Sequence, residues 1–201
     1  MSNVTNPTEV FFGEYIEQFL SENKAANFLA NELSSSGVGL MPLIDHCTIR
    51  TLDVNTRSKD FLGLGFTEDQ NLGVLEFDNW WAKVFRKPGY PSLFIDQAFA
   101  GERGQTSLIP EWVHVHGDRC FHHIAILVED IEHAIHQMKA HKFEFVGEIV
   151  GARNTNLRQI FTKPEIKQDK AYTVLELIER HNGYQGFLPP QADGLMESSR
   201  I

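Results

Sequence analysis

A pattern that occurs twice constrains this chain more than any single motif. Asp45-His46-Cys47-Thr48-Ile49-Arg50-Thr51-Leu52-Asp53-Val54 aligns without a gap on His122-His123-Ile124-Ala125-Ile126-Leu127-Val128-Glu129-Asp130-Ile131. His46 falls on His123, Ile49 on Ile126 and Asp53 on Asp130; further on, Phe61 meets Met138 and Phe66 meets Phe143. Each copy reads as a strand, an Asp near a helix start, and an amphipathic helix, because Asp at that place accepts from the free N–H groups of the first turn. Strand-like runs follow each helix: Gly73 to Phe77, Trp81 to Arg86 and Ser92 to Ile95 in the first copy. The second has Glu144 to Val150, Leu157 to Thr162 and Ala171 to Glu179. The expectation is an α+β protein of two βαβββ modules, residues 41–100 and 121–182. A connector, 101–120, joins them. Ahead of them an amphipathic helix from about Glu9 to Leu33 occupies a segment 1–40, with Phe12, Tyr15, Ile16, Phe19 and Leu20 forming one stripe. It could cap the groove, cover the sheet exterior or make a homodimer contact. A tail, 183–201, carries a short helix from Ala192 to Ser199.

The repeat also separates two histidines from the other seven. His133, His136 and His141 read as solvated helix surface, and His181 carries no pattern. His114 and His116 share a face if Trp112 to His116 is extended, and then read as surface or packing. His46 and His123 take the same place in the first strand of each module. If the modules pair about a pseudo-twofold axis, these equivalent positions converge in one groove. A carboxylate is available in Glu176, flanked by Val174, Leu175, Leu177 and Ile178. A buried carboxylate needs a cation, a metal or a proton, because desolvation costs it several kcal/mol. Two neutral imidazoles and one carboxylate form the facial triad of non-haem Fe(II) oxygenases; Mn, Co, Ni or Zn suits similar ligands. On the same strand face as His46 and Thr48 stands Arg50, which is suited to hold a substrate carboxylate by two hydrogen bonds. Arg158 and Gln159 are further polar candidates, and Gln159 shares a side with Phe161. A fourth ligand, if there is one, is Asp96.

Composition narrows the partners. Eighteen basic against 27 acidic residues give a charge of -9, which repels phosphate backbones, and no basic patch offsets it, so nucleic acid is not expected. No apolar run reaches the ~20 residues of a membrane span. The start lacks a basic and apolar signal pattern, and two cysteines are too few for a disulfide framework, so a cytoplasmic location is expected.

At these residues the chain resembles the vicinal oxygen chelate superfamily, which pairs βαβββ modules around a metal. The likeness is to the carboxy-terminal half of the 4-hydroxyphenylpyruvate dioxygenase family. It runs through His123-Ile124-Ala125-Ile126, Arg158-Gln159-Ile160-Phe161-Thr162-Lys163-Pro164, Glu176-Leu177-Ile178-Glu179-Arg180 and Gly186-Phe187. The strand His46 to Arg50 and the run Leu157-Arg158-Gln159 resemble the 2-oxoadipate dioxygenase/decarboxylase family, where the arginine grips the substrate carboxylate. The resemblance implies Fe(II) on His46, His123 and Glu176, with Gln159, Phe161 and Phe187 lining the cavity. It implies a 2-oxo acid and dioxygen as substrates, with loss of carbon dioxide. His122 stands where the first family has Gln, and Ala192 replaces an aromatic residue of its closing helix, so a substrate of another shape is expected. Glyoxalase-like lyases or epimerases with Zn, Ni or Co, and non-catalytic binders, share the fold and are the alternatives.

Overall fold

The computed structural model describes residues 6–198. Asn6 caps the first helix, α1 (Pro7–Glu22), by accepting from Thr8 N, and Pro7 supplies a first-turn residue with no N–H to satisfy. The single helix expected from Glu9 to Leu33 is two. Asn23 is extended, and its side chain accepts from Ala26 N to start α2 (Lys24–Ser35). A short polar side chain here competes with the helix backbone and turns the chain.

A 3-10 turn at Met41–Leu43 leads into β1 (Ile44–Arg50), α3 (Val54–Gly63), two short strands β2 (Thr67–Glu68) and β3 (Leu75–Glu76), then β4 (Trp80–Arg86) and β5 (Ser92–Ala98). A connecting helix, α4 (Ile109–His116), precedes the second copy: β6 (His123–Leu127), α5 (Ile131–Ala140), β7 (Phe145–Val150) and β8 (Leu157–Thr162). A small hairpin, β9 (Ile166–Lys167) with β10 (Lys170–Ala171), then leads to β11 (Val174–Arg180) and the last helix, α6 (Pro189–Ser198). The run Ala171 to Glu179 is therefore divided between the hairpin and β11. Ser199, included in the expected tail helix, lies outside the described residues.

The duplication holds down to single backbone angles. Asp53 accepts from Thr56 N and Asp130 from His133 N, at 3.0 and 2.8 Å, so each caps its helix. At the other end of each helix, Gly65 and Lys142 occupy equivalent places and both have positive φ, 85° and 69°. Phe66 and Phe143 follow and fold back over the core.

The main sheet runs β2-β4-β5-β1-β6-β11-β8-β7, with β3 beside β4. β1 and β6 meet antiparallel at its centre, and each has a parallel neighbour, β5 and β11. Cys47 pairs with its own repeat equivalent, Ile124, while His46 faces Ala125 and Thr48 faces His123. The pseudo-twofold axis therefore passes through the Cys47–Ile124 pair, with one histidine on either side.

Strand alternation then divides the residues between two faces. Cys47, Ile49, Leu93, Ile95, Ile124, Ile126, Leu175 and Leu177 pack with Val54, Phe61, Ile131 and Ile135 of α3 and α5. Phe12, Phe19, Ala25 and Ala26 of α1 and α2 join that same cluster, so the N-terminal helices cover the sheet exterior. His46, Thr48, Arg50, Phe94, Asp96, Gln159, Phe161 and Glu176 point the other way, into a groove covered by α4 and α6. No helix among the described residues is long and apolar enough to cross a membrane.

Candidate metal centre

In the groove, His46, His123 and Glu176 bring one ligand atom each to within 4.8 Å of one another. His46 Nε2 lies 3.4 Å and His123 Nε2 3.3 Å from the same Glu176 oxygen, Oε2. Ligands about 2.1 Å from a common ion stand about 3.0–3.4 Å apart, so the spacing suits one divalent metal. Glu176 is 1% exposed, and its Oε1 has no hydrogen-bond partner among the described residues. Burial without a partner is costly for a carboxylate oxygen, and a cation removes that cost. The donor set and the orphaned oxygen both fit a metal.

Each histidine is oriented through its other nitrogen by the residue just before it. His46 Nδ1 donates to Asp45 Oδ1 at 2.8 Å. The pairing of β1 with β6 shifts register between Ile44 and His46, a bulge at Asp45 that lets consecutive side chains address one site. Arg180 holds Asp45 with two bonds, 2.7 and 2.9 Å; against the opposing effect of burial, the bond to His46 and then those to Arg180 keep its carboxyl well below the ordinary range. In the second module His122 Nδ1 lies 2.9 Å from His123 Nδ1. Such partners fix ring tautomer and direction at metal sites.

The electrostatics of the two imidazoles differ. Burial opposes charge on His46, but the Glu176 and Asp45 carboxylates outweigh it and raise its pKa to about 9. Burial, then the charges of His46 and Arg50, push His123 well below its ordinary value. His122 is lowered too, by burial first and then by Arg50 and His123. Without a metal, the proton drawn by the carboxylates sits on His46.

Around this group lies a cavity of about 40 Å³, walled by Arg50, His122, Gln159, Phe161, Phe94 and Phe187, with Leu195 and Met196 of α6 above. Phe187 meets the His46 ring edge-to-face at 5.0 Å. Arg50 is 3% exposed; its Nη2 donates to Met196 Sδ at 3.0 Å and its guanidinium lies over Trp112. No carboxylate among the described residues lies within 4.0 Å of that guanidinium, and its Nε has no hydrogen-bond partner.

Three expectations need correction. Arg158 does not face the groove: it pairs with Glu132 at 2.6 Å and Glu179 at 3.2 Å on the helix side, and Glu179 in turn caps α5 through Ile131 N. It is a brace between β8, β11 and α5. Asp96 stands outside the group of three. His46 is the parallel partner of Ser92 and His123 of Val174, so the repeat equivalent of Glu176 is Phe94. Asp96 is instead the register neighbour of Arg50; burial raises its pKa to about 7 against the opposing pull of that arginine. Finally, Trp112 to His116 is helical, leaving His114 exposed and His116 bonded to the Ala171 carbonyl at 3.1 Å.

Asp45 was readable as a ligand partner, since the repeat sets it opposite His122 immediately before each histidine. Arg180 and Met196 carried no local signal; only the folded chain brings them to Asp45 and Arg50.

No protein-family model and no curated protein matches the sequence. Solved structures do. Hydroxyglutarate synthase from Oryza sativa, in complex with 2-oxoadipate, superposes with a TM-score of 0.70 at 15% identity over 92% of this chain and 83% of that one. A putative glyoxalase superfamily protein from Ralstonia eutropha JMP134 gives 0.66 at 12% over 90% and 84%. Methylmalonyl-CoA epimerase from Mycobacterium tuberculosis gives 0.50 at 18% over 70% and 89%. Paired βαβββ modules about a central β1–β6 seam, shared with these proteins, give the chain the vicinal oxygen chelate fold, that of the glyoxalase superfamily.

Proposed function

We propose that the chain is a metal-dependent dioxygenase that oxidatively decarboxylates a 2-oxo acid, with Fe(II) held by His46, His123 and Glu176. The observation that carries this reading is Phe94 at the repeat equivalent of Glu176. Three protein ligands remain, and three leave open positions for a chelating substrate and a small gas. A glyoxalase-like lyase or epimerase with a fourth ligand from the first module would need a donor there, and phenylalanine has none. Likeness to a hydroxyglutarate synthase that binds 2-oxoadipate supports the same substrate class.

Fe(II) bound at the triad would supply the redox chemistry that couples dioxygen reduction to loss of carbon dioxide. The overall conversion of a 2-oxo acid and dioxygen to carbon dioxide and a hydroxylated acid one carbon shorter balances without another reductant. Oxidative decarboxylation supplies two electrons and conversion of a C–H bond to C–OH supplies two more, the four that reduce both atoms of dioxygen. The protein's own contribution is orientation and dryness. Asp45 and His122 hold the two imidazoles with Nε2 inward. Arg50, buried and with no carboxylate within 4.0 Å among the described residues, binds the acid and fixes which face meets the triad. Gln159 offers the substrate a hydrogen bond from β8, while Phe94, Phe161 and Phe187 exclude water.

The test begins with metal content of protein purified without chelators, beside His46→Ala, His123→Ala and Glu176→Ala. About one iron per chain, lost in each folded variant, is expected for a triad of this kind. Oxygen uptake matched by carbon dioxide release on a 2-oxo acid completes it. Stoichiometric zinc or nickel in active protein would overturn the oxygenase reading.

A further inference from the structure

The cavity at the triad is not the only one that Arg50 and His122 line. Behind them, toward α4 and the β9–β10 hairpin, lies a second cavity of about 370 Å³. The two residues are 3% exposed each and form the wall between the two spaces. The inner space of about 40 Å³ has room for about three waters, too little for more than the reacting head of an organic acid. The outer one falls in the range of ligand pockets.

The wall is built of donors. Arg50 has no carboxylate within 4.0 Å among the described residues, although it is buried. His122 Nδ1 faces His123 Nδ1 at 2.9 Å. If His123 gives its Nε2 to a metal, its Nδ1 keeps the hydrogen and donates to His122 Nδ1. The remaining hydrogen of neutral His122 is then on Nε2, a second donor beside the guanidinium.

Beyond the wall the lining is mixed: Trp112 and Tyr172, stacked at 6.0 Å, form an apolar side with Leu108 and Val115, while His116, Asp169 and a Lys170–Glu111 ion pair supply polar groups. The chamber is stitched together before any ligand arrives. Trp112 Nε1 donates to the Tyr172 carbonyl at 2.9 Å, His116 Nε2 to that of Ala171, and the Tyr172 hydroxyl to Glu22 of α1 at 2.6 Å.

We propose that this outer chamber houses the body of the substrate, an amphipathic organic acid whose anionic head is gripped at the Arg50–His122 wall and reaches the triad through it. The inference rests on the 2-oxo acid reading and adds to it that the acid is long and apolar-bodied. Val115 and Leu108, on and before α4, then determine specificity through the room they leave.

Binding of pyruvate and of 2-oxooctanoate to the zinc-loaded chain, followed by calorimetry, tests this without turnover. The long acid should bind the natural chain at least about tenfold more tightly than pyruvate. Val115→Trp and, separately, Leu108→Trp should reduce that advantage to about twofold or less while zinc stoichiometry and melting temperature report an intact fold. Two positions guard against one variant failing to fold. A long-chain advantage that survives in both folded variants, or no advantage in the natural chain while pyruvate binds, overturns the chamber alone. If neither acid binds the zinc-loaded natural chain, the 2-oxo acid reading fails and takes the chamber with it.

Discussion

The two modules share their backbone plan and one groove histidine each, and differ at the residues set around that pair. At the position before each histidine, the first has Asp45 and the second His122. Where the second supplies Glu176, the first supplies Phe94, and where the first supplies Arg50, the second has Leu127. A short connection, residues 87–91, joins β4 to β5, whereas 163–173 joins β8 to β11 and adds the β9–β10 hairpin. Symmetry brings two imidazoles to one point, since both lie beside the axis. Asymmetry does the rest: one carboxylate, one arginine and one chamber give the site a direction along which an acid can lie.

Breaking that asymmetry at its source should give the largest effect. Glu176→Ala removes the only carboxylate of the triad and should take metal content from about one per chain to none by elemental analysis. Phe94→Leu, at the equivalent position, should leave metal content unchanged. Equal losses in the two variants would mean that the register comparison misplaces the ligand.

The two groove-strand arginines sharpen the comparison next. Arg158→Met takes from Glu132 and Glu179 the arginine they share and should lower stability in urea unfolding, with acid binding unchanged. Arg50→Met should do the reverse. Among the described residues no carboxylate lies within 4.0 Å of the Arg50 guanidinium, and its register neighbour Asp96 can stay protonated, so the stability loss should be smaller than at Arg158, while 2-oxo acid affinity falls about 100-fold. A stability loss at Arg50 equal to that at Arg158 would make it a brace as well.

A smaller effect is expected one step back from the ligands. Asp45→Ala removes the acceptor that aligns His46 and should weaken metal binding about 10- to 100-fold in a competition titration. His122→Gln should cost less, because a glutamine oxygen can still accept from His123 Nδ1.

The reason so much of this could be read from sequence is the repeat itself. Strand, capping Asp and helix recur in register, so the α+β plan and the pairing of His46 with His123 follow from local pattern and one symmetry argument. What escaped has a common cause. Arg158 and Gln159 are consecutive, so alternation admits only one of them to the groove beside Phe161; that Arg158 is a brace follows only from its partners, Glu132 and Glu179 on the helix side. Asp96 and Phe94 differ by one strand repeat, and strand register belongs to pairing across the sheet, not to composition. The α4 segment alternates apolar and polar residues as a strand would, yet Pro110 starts a helix whose Trp112 then fixes it to Tyr172. The outer chamber depends on α4, the hairpin and α1 together, and no window of sequence contains all three.

The smallest effect concerns pH, and it tests the pairing that sets Arg50 apart from Leu127. Burial raises Asp96 to about 7, against the opposing charge of Arg50 beside it in register. The folded value lies above the unfolded 3.8, so the folded chain binds the additional proton between them. This group therefore makes stability fall as pH rises from about 4 to about 7, with no further change above. Acid binding should follow the same titration. Below about 7 Asp96 is neutral and leaves the guanidinium to the ligand; above, the carboxylate competes for it. The affinity of the zinc-loaded chain for 2-oxooctanoate should decline several-fold from pH 6 to pH 8, by roughly the energy of one screened charge pair. Asp96→Asn should flatten this decline and leave the affinity near its low-pH value. A profile that keeps its slope in Asp96→Asn would place the titrating group elsewhere, and Arg50 would then meet its ligand without a competing carboxylate.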